Sequence, residues 1–152
     1  MRRLLSAIGL AAALTFATGC STTPPEFGSF VSVPAEGWAY GDTLSVEPQM
    51  TDSANCGRLS LAVRHTDAYA YRNLWLEVIT PLADTVQVDT VNVELADRFG
   101  KWYGTGVGVS FCVSDTLPGY YCLPRGSRIG VRHIMRLDTL QDIEQIGITL
   151  VP

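Results

Sequence analysis

The sequence predicts an all-β fold, an antiparallel β-sandwich of jelly-roll or immunoglobulin-like type, with little helix apart from a signal peptide. Three observations carry this. Apolar residues alternate with a period of two in one segment after another, as in strands with one buried face. Turn signals separate those segments: Pro34 to Gly37, Pro48 to Gly57, Pro81 to Asp84, Asp97 to Lys101, Pro118-Gly119 and Pro124 to Ser127. No stretch has convincing helical periodicity, and the nearest, Leu137 to Ile143, is at most one or two turns long. Eight to ten short strands at this spacing suit a sandwich or barrel.

The first element is not part of that fold. Met1-Arg2-Arg3 is positive, and Leu4 to Thr18 is an uncharged, largely apolar run of 15 residues. Gly19-Cys20 follows. This is the three-part pattern of a signal peptide, and the run is too short for an ordinary spanning helix. Ala17-Thr18-Gly19-Cys20 resembles a bacterial lipobox, with Ala17 where Leu is most common. The expectation is cleavage after residue 19 and acylation of Cys20, with palmitate among the chains. Each buried lipid methylene contributes about 0.8 kcal/mol, so two or three chains hold a domain at a membrane. Residues 20–29, with Ser21-Thr22-Thr23-Pro24-Pro25, read as the lipidated cysteine and a polar, stiff tether. Residues 30–152 are then a single β-sandwich domain.

Cleavage leaves 133 of the 152 residues and a net charge near −6, with Lys101 the only lysine. An acidic domain is the wrong sign for nucleic acid. Export argues against a cytosolic enzyme. The length supports a core without metal or disulfide support.

Along the domain, Leu59, Leu61 and Val63 share a face, as do Leu74, Leu76 and Val78, with Trp75 and Ile79 opposite. Val86 and Val88 have even numbers, whereas Val91, Val93 and Leu95 are odd, so a bulge or bend is expected at Asp89-Thr90. Val107, Val109 and Phe111 alternate again. Gly104, Gly106 and Gly108 on the other parity allow a close approach to that backbone. Ile129, Val131, His133 and Met135 share a face, and Ile146, Ile148 and Leu150 form the last strand. The expected core is Leu59, Leu61, Val63, Leu74, Leu76, Val78, Val91, Val93, Val107, Val109, Ile146 and Ile148.

After Cys20, three cysteines remain, which allows one internal disulfide. Cys112 and Cys122 flank nine residues with a Pro118-Gly119 turn. The expected bond is Cys112–Cys122 with Cys56 free, against the alternative of two buried thiols. There is no C-x-x-C and no His at ligand spacing, so no metal site or cofactor is predicted. Nor is there a G-x-S-x-G, an H-E-x-x-H or a phosphate-binding loop, and no catalytic residue is assigned. His133 alternates with apolar residues and reads as a hydrogen-bonded core histidine.

The candidate surface is aromatic and basic: Tyr71, Arg72 and Asn73, with Lys101, Trp102 and Tyr103. Flat rings beside Arg and Asn suit a protein partner or a sugar ring. Against this stands a reading of the rings as core plugs, with Trp38 and Trp102 as lids over the ends of the core.

The chain resembles the gliding-motility lipoprotein family GldH, from about Phe30 to Val151. The resemblance is carried by the lipobox, Gly37-Trp38 with Asp42, Val63-Arg64-His65, and Tyr71-Arg72-Asn73-Leu74-Trp75-Leu76. It continues through Asp89-Thr90-Val91, Glu94-Leu95-Ala96-Asp97, Gly100-Lys101-Trp102-Tyr103-Gly104-Thr105-Gly106, His133-Ile134-Met135-Arg136 and Ile146-Gly147-Ile148. It implies a non-enzymatic, lipid-anchored envelope protein, at the outer rather than the inner membrane, that contacts other envelope proteins. A glycan-binding module on the same anchor is the alternative.

Overall fold

A computed structural model describes residues 29–50 and 55–152. The signal peptide, Cys20 and the tether up to residue 28 lie outside the described residues, as do residues 51–54. The described residues contain thirteen strands and no helix. In chain order they are β1 (Phe30–Ser32), β2 (Trp38–Ala39), β3 (Leu44–Val46), β4 (Gln49–Met50), β5 (Cys56–Thr66), β6 (Asn73–Pro81) and β7 (Val86–Glu94). There follow β8 (Thr105–Val107), β9 (Ser110–Thr116), β10 (Tyr121–Cys122), β11 (Ile129–His133), β12 (Thr139–Leu140) and β13 (Ile143–Val151).

Two sheets pack face to face. The larger runs β1-β13-β5-β9-β8, and β4 and β10 extend it end to end with β1 and β9. The smaller runs β3-β11-β6-β7. Among the described residues the only parallel pair is β4 with β13. A two-stranded ribbon, β2 with β12, occupies the segment where a short helix was the nearest possibility. The core is the expected one for most of its length. Leu59, Leu61 and Val63 of β5 face Leu74, Leu76 and Val78 of β6, and all are fully buried, as are Val93 and Ile146. Val91 is half-buried.

Two segments break the expected pattern. First, β7 pairs with β6 in unbroken register from Val86 to Glu94, so there is no bulge at Asp89-Thr90. Val86 and Val88 are instead on the solvent face, 59% and 54% exposed. The inward positions in this half are Gln87 and Asp89. Asp89 accepts a hydrogen bond from the Tyr121 hydroxyl at 2.9 Å and from Gln87 Nε2 at 3.0 Å. A buried phenol needs an acceptor, and Asp89 supplies it at the cost of apolar alternation. Burial and this carboxylate push the Tyr121 hydroxyl up to about 12. The true bulge lies between Ile143 and Gln145.

Second, Val107 and Val109 are not core, being 90% and 59% exposed. Gly108, at φ 66°, and Val109 form the turn of the β8–β9 hairpin, in which Val107 pairs with Ser110 and Gly106 with Phe111. A two-residue turn inside an alternating run reverses the chain, so Val107 and Phe111 lie on opposite faces. Glycine does admit a close approach here. A Cβ on Gly106 would meet Ser110 O at 2.5 Å and the Phe111 ring at 3.0 Å.

The disulfide also differs. Cys56 bonds Cys122, with their Cα atoms 4.0 Å apart, and Cys112 is free. Both β9 and β10 pair with β5, but at opposite ends: Cys112 lies opposite Arg64, and Cys122 opposite Cys56. The Pro118-Gly119 segment therefore joins two collinear strands rather than folding back. At about 3.3 Å per residue, that separates Cys112 from Cys122 by roughly 25 Å.

Candidate functional site: the loop end of the sandwich

The β5–β6 loop and the β7–β8 loop leave the same end of the sandwich and hold the predicted surface residues. Backbone bonds fasten them together. Arg72 O accepts from Leu95 N at 2.7 Å and Ala96 N at 3.0 Å, and Tyr103 N donates to Leu95 O at 2.8 Å. Asp97 shapes the turn between. Its Oδ1 accepts from Phe99 N at 2.8 Å and Lys101 N at 2.9 Å, and those bonds hold its carboxyl below the ordinary value. Gly100, at φ 84°, allows the turn to close.

Arg72, Asn73 and Tyr103 come together around a shallow depression of about 610 Å³. Asn73 Nδ2 donates to Asn92 Oδ1 at 2.7 Å. Tyr103 is 42% exposed, and Phe99 is 81% exposed with the Arg98 guanidinium 4.6 Å from its ring centroid. Asn92, Arg98 and Phe99 were not predicted for this surface. Phe99 was legible, because a phenylalanine within the Asp97 to Lys101 turn has little chance of reaching the core.

The other predicted residues separate. Trp102 turns inward, half-buried, 4.7 Å from the His65 ring. Tyr71 lies edge-on to the buried Tyr69 at 5.7 Å. Lys101 is exposed, and its backbone completes the turn at Asp97. Trp38 is fully buried, its Nε1 donating to Asp42 O at 3.0 Å. Trp38 and Trp102 thus cover the core as expected of lids.

Two histidines sit under this end. His65 Nδ1 donates to Thr66 O at 2.8 Å, and His133 Nε2 to Trp38 O at 3.0 Å. The second nitrogen of each is buried without a partner. Burial lowers the pKa of both, so both stay neutral at pH 7. The unfolded chain takes up protons below about pH 6.5 that the folded chain refuses. Stability should therefore fall between pH 7 and 5.5, by at most about 1.4 kcal/mol per pH unit for each histidine. Urea unfolding across that range checks this, and His133→Gln should flatten the slope. A pH-independent midpoint in the parent would show the histidines are not buried neutral.

A family model described as the GldH lipoprotein matches residues 26–150. No curated protein and no solved structure matches the chain. The matched span takes in the loop surface and all thirteen strands except Val151, the last residue of β13. The chain belongs to the GldH lipoprotein family, and with it to the lipid-anchored proteins of the cell envelope.

Proposed function

We propose that the protein is a non-enzymatic lipoprotein of the outer membrane, acylated at Cys20, that meets other envelope proteins through its loop end. Its role belongs to gliding motility or to the envelope assembly from which motility machinery is built. The observation that carries the reading is polarity along the sandwich. Ser29, the first described residue, donates its hydroxyl to Glu47 O at 2.8 Å. It lies at the end holding the β6–β7 turn and the Cys56–Cys122 bond. Arg72, Phe99 and Tyr103 lie at the opposite end. A tether from Cys20 to Ser29 then leaves the exposed rings facing away from the lipid. Exposed aromatics beside Arg are the usual anchors of protein contacts.

A glycan platform on Tyr71 and Trp102 would need two coplanar exposed rings. Trp102 packs on His65 and Tyr71 stands edge-on to Tyr69, which favours protein contact.

A photo-crosslinking residue at Phe99 should capture discrete envelope proteins, and one at Val86 should not. Cys20→Ser should move the chain to the aqueous phase of a detergent partition with an unchanged thermal melt. Equal crosslinking from both positions would remove the loop end as the contact surface. Wild-type protein in the aqueous phase would remove the anchor.

A further inference from the structure

A depression of about 940 Å³ lies on the solvent face of the larger sheet and shares no lining residue with the loop-end depression. Its floor is a row set by strand register. Ser32 pairs with Gln145, Gln145 with Arg64, Arg64 with Cys112, and Cys112 with Thr105. Directly paired residues share a face, so these five side chains cross five strands in line. At about 4.8 Å per strand the row is roughly 19 Å long.

Arg64 is its centre and its one cation. Arg64 Nη1 donates to Gln145 Oε1 at 2.5 Å, and Gln145 Nε2 donates to Ser32 Oγ at 3.3 Å. The guanidinium lies 4.6 Å from the Phe30 ring centroid, and Cys112 is its directly paired neighbour on β9. All these partners are neutral. The ion pairs among the described residues are Arg128–Glu47 and Arg132–Glu77, so no described carboxylate lies within 4 Å of Arg64. The guanidinium is held in place by neutral groups, with no direct ion pair among the described residues. A half-buried, oriented fork of this kind is suited to a carboxylate.

The second feature is Glu144. The bulge between Ile143 and Gln145 places it in the wall of the same groove, where it accepts from Ser110 Oγ at 3.1 Å. Bulges re-aim side chains in this way. Asp142, which accepts from Thr66 Oγ1 at 3.0 Å, lines the groove as well, and two fixed anions disfavour a multiply charged ligand such as phosphate. They favour one that offers N–H donors next to a single negative charge. Stacking on sugar is disfavoured too, because Arg64 covers Phe30 and the Phe111 ring stacks on the buried His65.

We infer that this groove binds an extended peptide by its C-terminal carboxylate, with the carboxylate on Arg64 and the peptide's amide N–H groups toward Glu144. Roughly 19 Å accommodates about five extended residues. Ser32, Gln145 and Thr105 supply hydrogen bonds to the peptide backbone. The site is separate from the proposed loop-end contact, and either stands without the other.

Cys112 reports on occupancy, since its thiol adjoins Arg64. The test follows iodoacetamide labelling of Cys112 in the full chain in detergent, located by mass spectrometry. The probe is acetyl-Ala-Ser-Ala-Ser-Ala with a free carboxyl terminus, compared with its C-terminal amide. For a Kd of about 1 mM, the acid at about 10 mM should slow labelling roughly tenfold. The amide should leave the rate unchanged. Arg64→Gln should remove protection, and Arg64→Lys should keep part of it, which separates lost charge from lost fold. Protection by acid and amide alike, or by neither, would overturn the proposal.

Discussion

Leu76→Asp should leave the protein unfolded at room temperature, while Val109→Asp should melt within about 2 °C of the parent. Leu76 is fully buried in β6, opposite Val91 and His133 in the two neighbouring strands. Removing such a side chain costs about 2–5 kcal/mol in lost burial and cavity formation. A carboxylate there adds a desolvation cost of several kcal/mol, because His133 opposite it is held neutral by burial. The sum is comparable to the 5–15 kcal/mol that holds a domain of this size together. Val109 has the same alternating context in the sequence but sits at the hairpin turn with 59% of its surface exposed. Substitutions at such positions stay within about 0.5 kcal/mol. Circular dichroism melts of both variants decide the matter. A cooperative transition for Leu76→Asp near the parental temperature would dissolve the assignment of β6 as the core strand of the smaller sheet.

That pair of variants also marks what alternation conveys. It separates the faces of a strand, and it says which face is buried only when the strand lies under a partner sheet. β5, β6 and β13 do so along their length, and Leu59, Leu76 and Ile146 were legible. In the β8–β9 hairpin Val107 shares the solvent face with Ser110 and Val109 sits in the turn, so the alternation there marks no buried face. In β7 the misleading signal had another origin. Asp89 faces inward because Tyr121, distant in sequence, requires an acceptor, and no local pattern encodes that demand. The loop surface was legible in part. Composition placed Arg72, Asn73 and Tyr103 together, but it could not tell that Trp102 would turn under His65 while Phe99 stayed outside. The Arg64 groove was invisible, because its row exists only across five strands that meet from four regions of the chain.

Removing the Cys56–Cys122 bond should lower the melting temperature by roughly 10–15 °C, and removing Cys112 should not. The bond joins directly opposed residues of β5 and β10 across a separation of 66 residues. Closing a loop of that size in the unfolded chain is worth about 4 kcal/mol in the chain-entropy account. For a domain of this length that corresponds to the stated shift. The bond also ties down β10, a strand of two residues that has little ladder of its own. Cys112 sits half-buried on the groove face, where burial pushes its thiol up and Arg64 opposes that in part. Cys112→Ser nearly keeps the size of a half-buried side chain, so it should cost under about 1 kcal/mol. Cys56→Ser, Cys122→Ser and reducing agent should all give the same lowered transition, and reducing agent should add nothing to either variant. A non-reducing digest should link the peptides of Cys56 and Cys122. A Cys112–Cys122 link would mean that β9 and β10 fold back on each other, and the collinear pairing of both along β5 could not stand.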